Sequence, residues 1–252
     1  SLGYTQRDYV EFPSQVHEHW VLTRPILDRF ARHYQTHQPM PQALVDRIRN
    51  ASTFNQGYAT VEAVSSAIVD MRLHLIADGN VDPDAFERQA LAEIGMPHEI
   101  AMRHRLPQFG HLFQSDAYSA GYYSYLWSSV MDADTWEMFE QSGNVFDPTI
   151  AAGMRNIILA EANNSDRAEA YRRFRGRDPD VNALLRVRGF PTGEELKHGA
   201  SGSMRRAGQI VQEGFICRGY WCYSVVLRYS QHYRQGDPRS IRFSDFQKLF
   251  YR

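Results

Sequence analysis

The sequence predicts an all-α protein, and three observations carry that reading. Apolar residues recur at helical spacing in one segment after another as far as Val187. Between those segments stand helix starters and stoppers, such as Asp82-Pro83, Gly143, Asp147-Pro148 and Gly189. No stretch before Phe190 alternates apolar and polar residues as a half-buried strand does, and none repeats. The body is a multi-helix array of about eight helices.

The first helix is predicted over residues 9–23, with Val10, Val16 and Trp20 on it. Pro25 sits in the first turn of a second helix, 26–34. Gln38-Pro39-Met40-Pro41 is a break. Residues 43–51 are helical, with Leu44, Val45 and Ile48 at helical spacing. Phe54-Asn55-Gln56-Gly57 turns into a long apolar helix, 58–76, which Asp78-Gly79-Asn80 ends. Asp82-Pro83 opens residues 83–94, and Gly95-Met96-Pro97 stops them. Residues 103–113 read as loop. Ser115 or Asp116 caps a helix over 116–131, and a separate amphipathic helix covers 136–142. Asp147-Pro148 starts a helix to about Glu161, with Ile150, Met154, Ile157 and Ile158 inward. Short helices over 167–174 and 181–187 complete the body, the last capped by the turn Arg177-Asp178-Pro179-Asp180.

A 43% hydrophobic and 23% charged composition is that of a globular protein. No apolar run reaches the roughly 18 residues of a membrane span, and residues 1–20 do not read as a signal peptide. The net charge of −1 hides an asymmetry. Residues 1–196 carry 18 arginines and no lysine against 26 acids, whereas residues 197–252 carry 10 basic residues against 3 acids. A boundary is placed near residue 190, separating a body, 1–190, from a basic, aromatic extension, 191–252, expected to be dispensable for the helices. Both cysteines, Cys217 and Cys222, lie in that extension, a usage that suits a reducing compartment.

The residues with chemistry in them cluster at Asp116–Trp127. Tyr118, Tyr122 and Tyr125 fall at i, i+4 and i+7, so on a helix their hydroxyls share a face, with His111 just upstream. Phenols can donate hydrogen bonds to a developing oxyanion. The plainer reading of an aromatic stripe is core packing. Gly121, costly in a helix, implies a close approach. Glu11 and Glu18 share a face of the first helix in the same way. His17-Glu18-His19 and His98-Glu99 both lack the second histidine that a His-Glu-x-x-His zinc helix needs. No phosphate loop, nucleophile elbow or zinc-ribbon spacing occurs.

Several stretches, in one order, resemble a family of zinc metallopeptidases, the thimet oligopeptidases and bacterial peptidyl-dipeptidases. They are Arg7-Asp8-Tyr9-Val10-Glu11-Phe12-Pro13-Ser14-Gln15 with Glu18 and Trp20, Phe54-Asn55-Gln56-Gly57-Tyr58, Phe109-Gly110-His111-Leu112-Phe113, Tyr118 to Trp127, and Phe174-Arg175-Gly176-Arg177-Asp178-Pro179. The resemblance covers residues 7–190 and fits the peptidyl-dipeptidase branch better. It implies a helical fold, the C-terminal half of a zincin-type oligopeptidase, with a deep channel for short peptides. It implies one zinc ion with Glu11 as a ligand and Glu18 orienting a ligating histidine. Tyr122 and Tyr125 would contact the scissile carbonyl and its tetrahedral intermediate, and His111 and Tyr118 would line the same cleft. Zinc-activated water would attack the peptide bond, with a glutamate of the His-Glu-x-x-His helix as base.

That helix belongs upstream of Glu11, and these 252 residues do not contain it. The expectation is therefore a C-terminal portion of such an enzyme, inactive by itself. The alternative is a non-catalytic helical protein that keeps the peptide cleft alone. A monomer with a cytoplasmic address is expected, a periplasmic one staying open, with short peptides as partners and no nucleic acid. Residues 191–252 have no counterpart in the resemblance. Their basic and aromatic residues fit a nucleic-acid or membrane-surface patch, but no binding motif accompanies them, and an incidental extension is the preferred reading.

Overall fold

The computed structural model describes residues 5–77 and 79–192. Apart from Pro191 and Thr192, the expected extension and both its cysteines lie outside the described residues. Those residues are helical and contain no strand, only one isolated bridge between Arg32 and Pro39. In chain order the helices are α1 (Arg7–Val10), α2 (Phe12–Glu18), α3 (Arg24–Phe30), α4 (Gln42–Ser52), α5 (Gln56–Leu73), α6 (Pro83–Glu93), α7 (Gly110–Phe113), α8 (Ser124–Gln141), α9 (Pro148–Gly153), α10 (Arg167–Arg175) and α11 (Val181–Val187). Turns of 3₁₀ helix cover His19–Leu22 and Leu106–Gln108, and α9 continues as a π-helical turn, Met154–Leu159.

Aspartates start four of these helices. Asp82, Asp147, Asp166 and Asp180 each accept a first-turn backbone N–H with the side chain. A cap of this kind contributes about 1 kcal/mol. In Asp82-Pro83 and Asp147-Pro148 the proline fixes φ where an N–H would have no helical partner anyway. The start predicted for α6 is therefore borne out, as is that of α9.

α8 is the axis of the main core. Its Leu126, Trp127, Val130, Met131, Ala133 and Phe139 are buried. Around them pack Tyr9, Phe12 and Val16 from α1 and α2, Val64 and Ile68 from α5, Tyr171 and Phe174 from α10, and Leu184 from α11. A smaller core joins α5 and α6 to residues 102–112 through Val69, Ala90, Met102, Leu106, Phe109 and Leu112. Glu87 of α6 accepts the Leu106 N–H at 2.8 Å and so fixes the start of that segment.

Three local expectations are corrected. The first helix breaks at Glu11, because Pro13 has no N–H to offer the Tyr9 carbonyl. Residues 103–113 are not mostly loop: they hold a 3₁₀ turn and the short α7. The two helices expected over 116–131 and 136–142 are one, α8, which begins only at Ser124. Asp134, in the gap between the two expected helices, is fully buried and paired.

Its partners come from the Phe174–Pro179 stretch and the helix before it. Gly176 follows α10 at φ +83°, a left-handed turn that suits glycine. Arg175 and Arg177 flank this turn and both reach Asp134. Arg177 donates from Nη2 to Oδ1 at 2.5 Å and from Nη1 to Oδ2 at 3.2 Å, and Arg175 from Nη2 to Oδ1 at 3.2 Å. The Tyr171 hydroxyl donates to Oδ2 at 2.8 Å. The Asp134→Ala chain is expected to lose about 3 kcal/mol of stability. That is the lower end of the cost of breaking a buried ion pair, since Arg177 can turn partly to water. Urea unfolding checks it, and a loss below about 1 kcal/mol would rule out the clamp as a fold determinant.

Burial pushes the Tyr9 and Tyr171 phenols well above the ordinary tyrosine range. Their unfolded counterparts ionise first, at about pH 10. Stability from these two groups is therefore full below about pH 10 and is lost as pH rises beyond it. Thermal melts at rising alkaline pH should show that fall, and a flat profile would contradict it.

Candidate active site

The tyrosine rings do come together, but not on one helix face. Tyr118 and Tyr122 lie in turns over residues 116–123, and only Tyr125 is helical, in the first turn of α8. Ala120 has φ +53°, a left-handed value that a helix cannot contain. A side chain at Gly121 would bring its Cβ 3.3 Å from the Tyr118 Cα and 3.4 Å from Arg7 Cγ. The close approach predicted for Gly121 is thus present, within a turn instead of a helix. Asp70, buried on α5, accepts the backbone N–H groups of Ala120 and Tyr122, each at 2.9 Å. The Ser119 hydroxyl adds a bond to the Leu112 carbonyl at 2.8 Å.

Those turns stack Tyr118 on Tyr125 with ring centres 5.3 Å apart, and Tyr122 meets Tyr125 edge-on at the same distance. His111, exposed on α7, stands edge-on to Tyr118 and Tyr122 at 5.7 Å and to Tyr125 at 6.2 Å. Tyr118 donates its hydroxyl to Glu11 Oε1, and the Arg7 guanidinium lies over the Tyr118 ring at 4.5 Å. Gln15 ties the two sides together: it donates to the Tyr125 carbonyl at 3.3 Å and accepts from Ser129 at 3.1 Å. Glu11, His111, Tyr118, Tyr122 and Tyr125 therefore form one cluster, as expected from the sequence. Glu18 is not in it. It is exposed at the end of α2.

Burial pushes both Tyr122 and Tyr125 up, and for Tyr125 the hydrogen bond with Tyr118 and the Glu11 charge push the same way. Both therefore stay neutral O–H donors at any physiological pH. Charge developing beside them would meet hydrogen-bond donors rather than phenolates.

Sequence reasoning missed Asp70, Arg7 and Gln15. Asp70 had a signal: a lone carboxylate in the run Val64-Ser65-Ser66-Ala67-Ile68-Val69-Asp70-Met71 cannot be buried without partners. Arg7 and Gln15 had none beyond their place in the motif. As for zinc, Glu11 offers one carboxylate at the cluster's edge. No group of three His, Cys, Asp or Glu able to hold a metal exists among the described residues. A catalytic zinc takes three protein ligands, so these residues alone do not fit the ion.

Comparison with known proteins identifies the surroundings of this cluster. The model of peptidase family M3 matches residues 2–190. The chain is 40% identical over 191 residues to a dipeptidyl carboxypeptidase of Escherichia coli K12, covering 74% of this chain and 28% of that one. It is 30% identical over 185 residues to an oligopeptidase A of Haemophilus influenzae, covering 73% and 27%. A probable cytosolic oligopeptidase A of Arabidopsis thaliana is 33% identical over 191 residues, again covering 73% and 27%. The chain thus spans little more than a quarter of the length of these relatives. Every element of the cluster falls inside the matched span, and the chain belongs to peptidase family M3.

Proposed function

We propose that this chain forms the substrate-cleft side of an M3 peptidase that hydrolyses short peptides, of the dipeptidyl carboxypeptidase type. The observation that carries the reading is the packing of three tyrosine rings and His111 into one cluster, with the Tyr118 hydroxyl bonded to the Glu11 carboxylate. Tyr122 and Tyr125 are assigned to donate hydrogen bonds to the oxyanion of the tetrahedral intermediate. Tyr118 and His111 are assigned to line the cleft, Tyr118 also holding Glu11 in place. Glu11 is assigned as one donor to a zinc ion. Glu18, exposed at the end of α2, is assigned to orient a ligating histidine. The rest of the donor set is assigned to a polypeptide carrying His-Glu-x-x-His, which this sequence lacks. The reading includes a body ending near Phe190, in keeping with the matched span. It also includes a monomer and a cytoplasmic address, the latter in keeping with the cysteine usage.

The 252-residue chain alone is expected to bind zinc weakly and to leave peptides intact. Equilibrium dialysis with zinc and an assay on short peptides check this, and a chelator-sensitive peptidase activity in the isolated chain would overturn it.

Fused behind the upstream region of the Escherichia coli dipeptidyl carboxypeptidase, the chain is expected to cleave peptides. In that fusion Glu11→Ala should abolish activity together with metal content. Tyr125→Phe should keep the metal and lower kcat by about 10²–10³-fold, the usual loss for one oxyanion donor. A Tyr125→Phe effect on KM alone would assign the hydroxyl to substrate binding instead. A fusion that binds peptides without cleaving them would favour the peptide-binding alternative.

A further inference from the structure

We infer that Asp70 is the positioning residue of the tyrosine turns, a buried carboxylate whose two oxygens each hold one backbone N–H so that the rings of Tyr118, Tyr122 and Tyr125 pack together and Tyr118 reaches Glu11. The inference deepens the reading of that cluster as a cleft and rests on it.

The turn over 118–123 closes a bond of its own, from the Gly121 N–H to the Tyr118 carbonyl at 2.9 Å, which leaves the N–H groups of Ala120 and Tyr122 to be met from elsewhere. Ala120 adopts a left-handed φ of +53° without being glycine, and a side chain at Gly121 would crowd the Tyr118 Cα at 3.3 Å. Neither feature is selected by local propensity. What the turn does offer is two N–H groups that point the same way, from Ala120 and Tyr122. Asp70 meets them with one oxygen each, Oδ1 and Oδ2, both at 2.9 Å. Successive backbone N–H groups make an anion-binding concavity of this kind, and here the anion is a side chain of α5. The cost of its burial is offset by a third partner. His74, one helical turn further on, places Nδ1 2.9 Å from Asp70 Oδ1. Asp70 itself is shut off from solvent, whereas His74 reaches the surface.

The consequence reaches the hydroxyls through the backbone. Fixing the Tyr122 N–H fixes where its ring leaves the chain, against Phe109 at 4.8 Å and Tyr125 at 5.3 Å. Fixing the Ala120 N–H sets the turn that brings Tyr118 back over Tyr125, with its hydroxyl on Glu11. Asp70 touches none of the groups assigned to substrate. It acts through the loop.

Asn is the discriminating replacement. It keeps the shape but has one acceptor oxygen, and its amide would face one of the two N–H groups. In the full chain, Asp70→Asn is expected to speed amide exchange of residues 118–123 by about ten- to a hundredfold, the loss of one hydrogen bond to a charged group. Exchange in α10 should stay unchanged. Ser119→Ala, which removes only the bond to Leu112, should leave that exchange unchanged. Should Asp70→Asn unfold the chain, His74→Gln gives the answer. It is expected to raise exchange in the same segment by a smaller factor, and no rise there would overturn the inference. Unchanged exchange in a folded Asp70→Asn chain would overturn it equally. In the peptidase fusion, Asp70→Asn should lower kcat more than it raises KM. Faster loop exchange with an unaltered kcat would uphold the positioning role and instead sink the catalytic assignment of the tyrosines.

Discussion

A carboxylate with no access to water needs partners for both oxygens, and Asp134 finds them in two guanidinium groups and a phenol. That arrangement decides how the body is assembled. Asp134 sits in the middle of α8, and its partners come from α10 and the turn that follows it. An unpaired charge at this depth would cost several kcal/mol. The pairing therefore fixes α10 against α8 at one register, and the turn at Gly176 carries the chain on to α11. The apolar neighbours of α8 could pack in several ways with little difference in energy. The paired charge removes that freedom. The Arg-Gly-Arg stretch thus acts in assembling the body, far along the chain from the tyrosines.

The candidate site hangs from the N-terminal end of the same helix. Tyr125 is in its first turn, and Tyr118 and Tyr122 are in the turns that lead into it. A second buried carboxylate, Asp70, governs those turns from α5. α1 and α2 close the other side, and Gln15 bonds directly to the α8 backbone. Glu11 lies at the break between α1 and α2 that Pro13 enforces. The carboxylate thus leaves the chain at a bend and meets Tyr118 across the gap. Three separate pieces of chain supply the cluster, and each is held by polar contacts rather than by apolar packing alone.

The helices were largely legible because their signals are local. Asp-Pro pairs mark the starts of α6 and α9, and the long, mostly apolar run over 58–76 marks α5. The cluster was legible for a different reason. The spacing of Tyr118, Tyr122 and Tyr125 suggested shared direction, and the family motifs supplied the link to Glu11. The secondary structure behind that link was not legible. A helix over 116–131 satisfies every local rule for Tyr118–Met131 except the glycine. What overrides it is a pair of hydrogen bonds to a residue some fifty positions earlier in the chain, Asp70. Single-sequence periodicity has no access to such a contact. The same blindness split α8, since the burial of Asp134 depends on arginines about forty positions later.

Turns suit this cluster better than the helix expected for it. On a helix, i, i+4 and i+7 side chains stand in a row along the axis, each successive pair about 5–6 Å apart, and they cannot fold over one another. In the turns Tyr118 doubles back to stack on Tyr125 with nearly parallel rings, while Tyr122 and His111 meet them edge-on. The three rings then pack into one cluster instead of lining an edge. The stack also buries Tyr125 enough to hold its proton, and the nearby Glu11 charge holds it further. A donor is useful at an oxyanion only while it keeps that proton. The left-handed Ala120 is the local strain this geometry requires, and the buried Asp70 carboxylate is what offsets it.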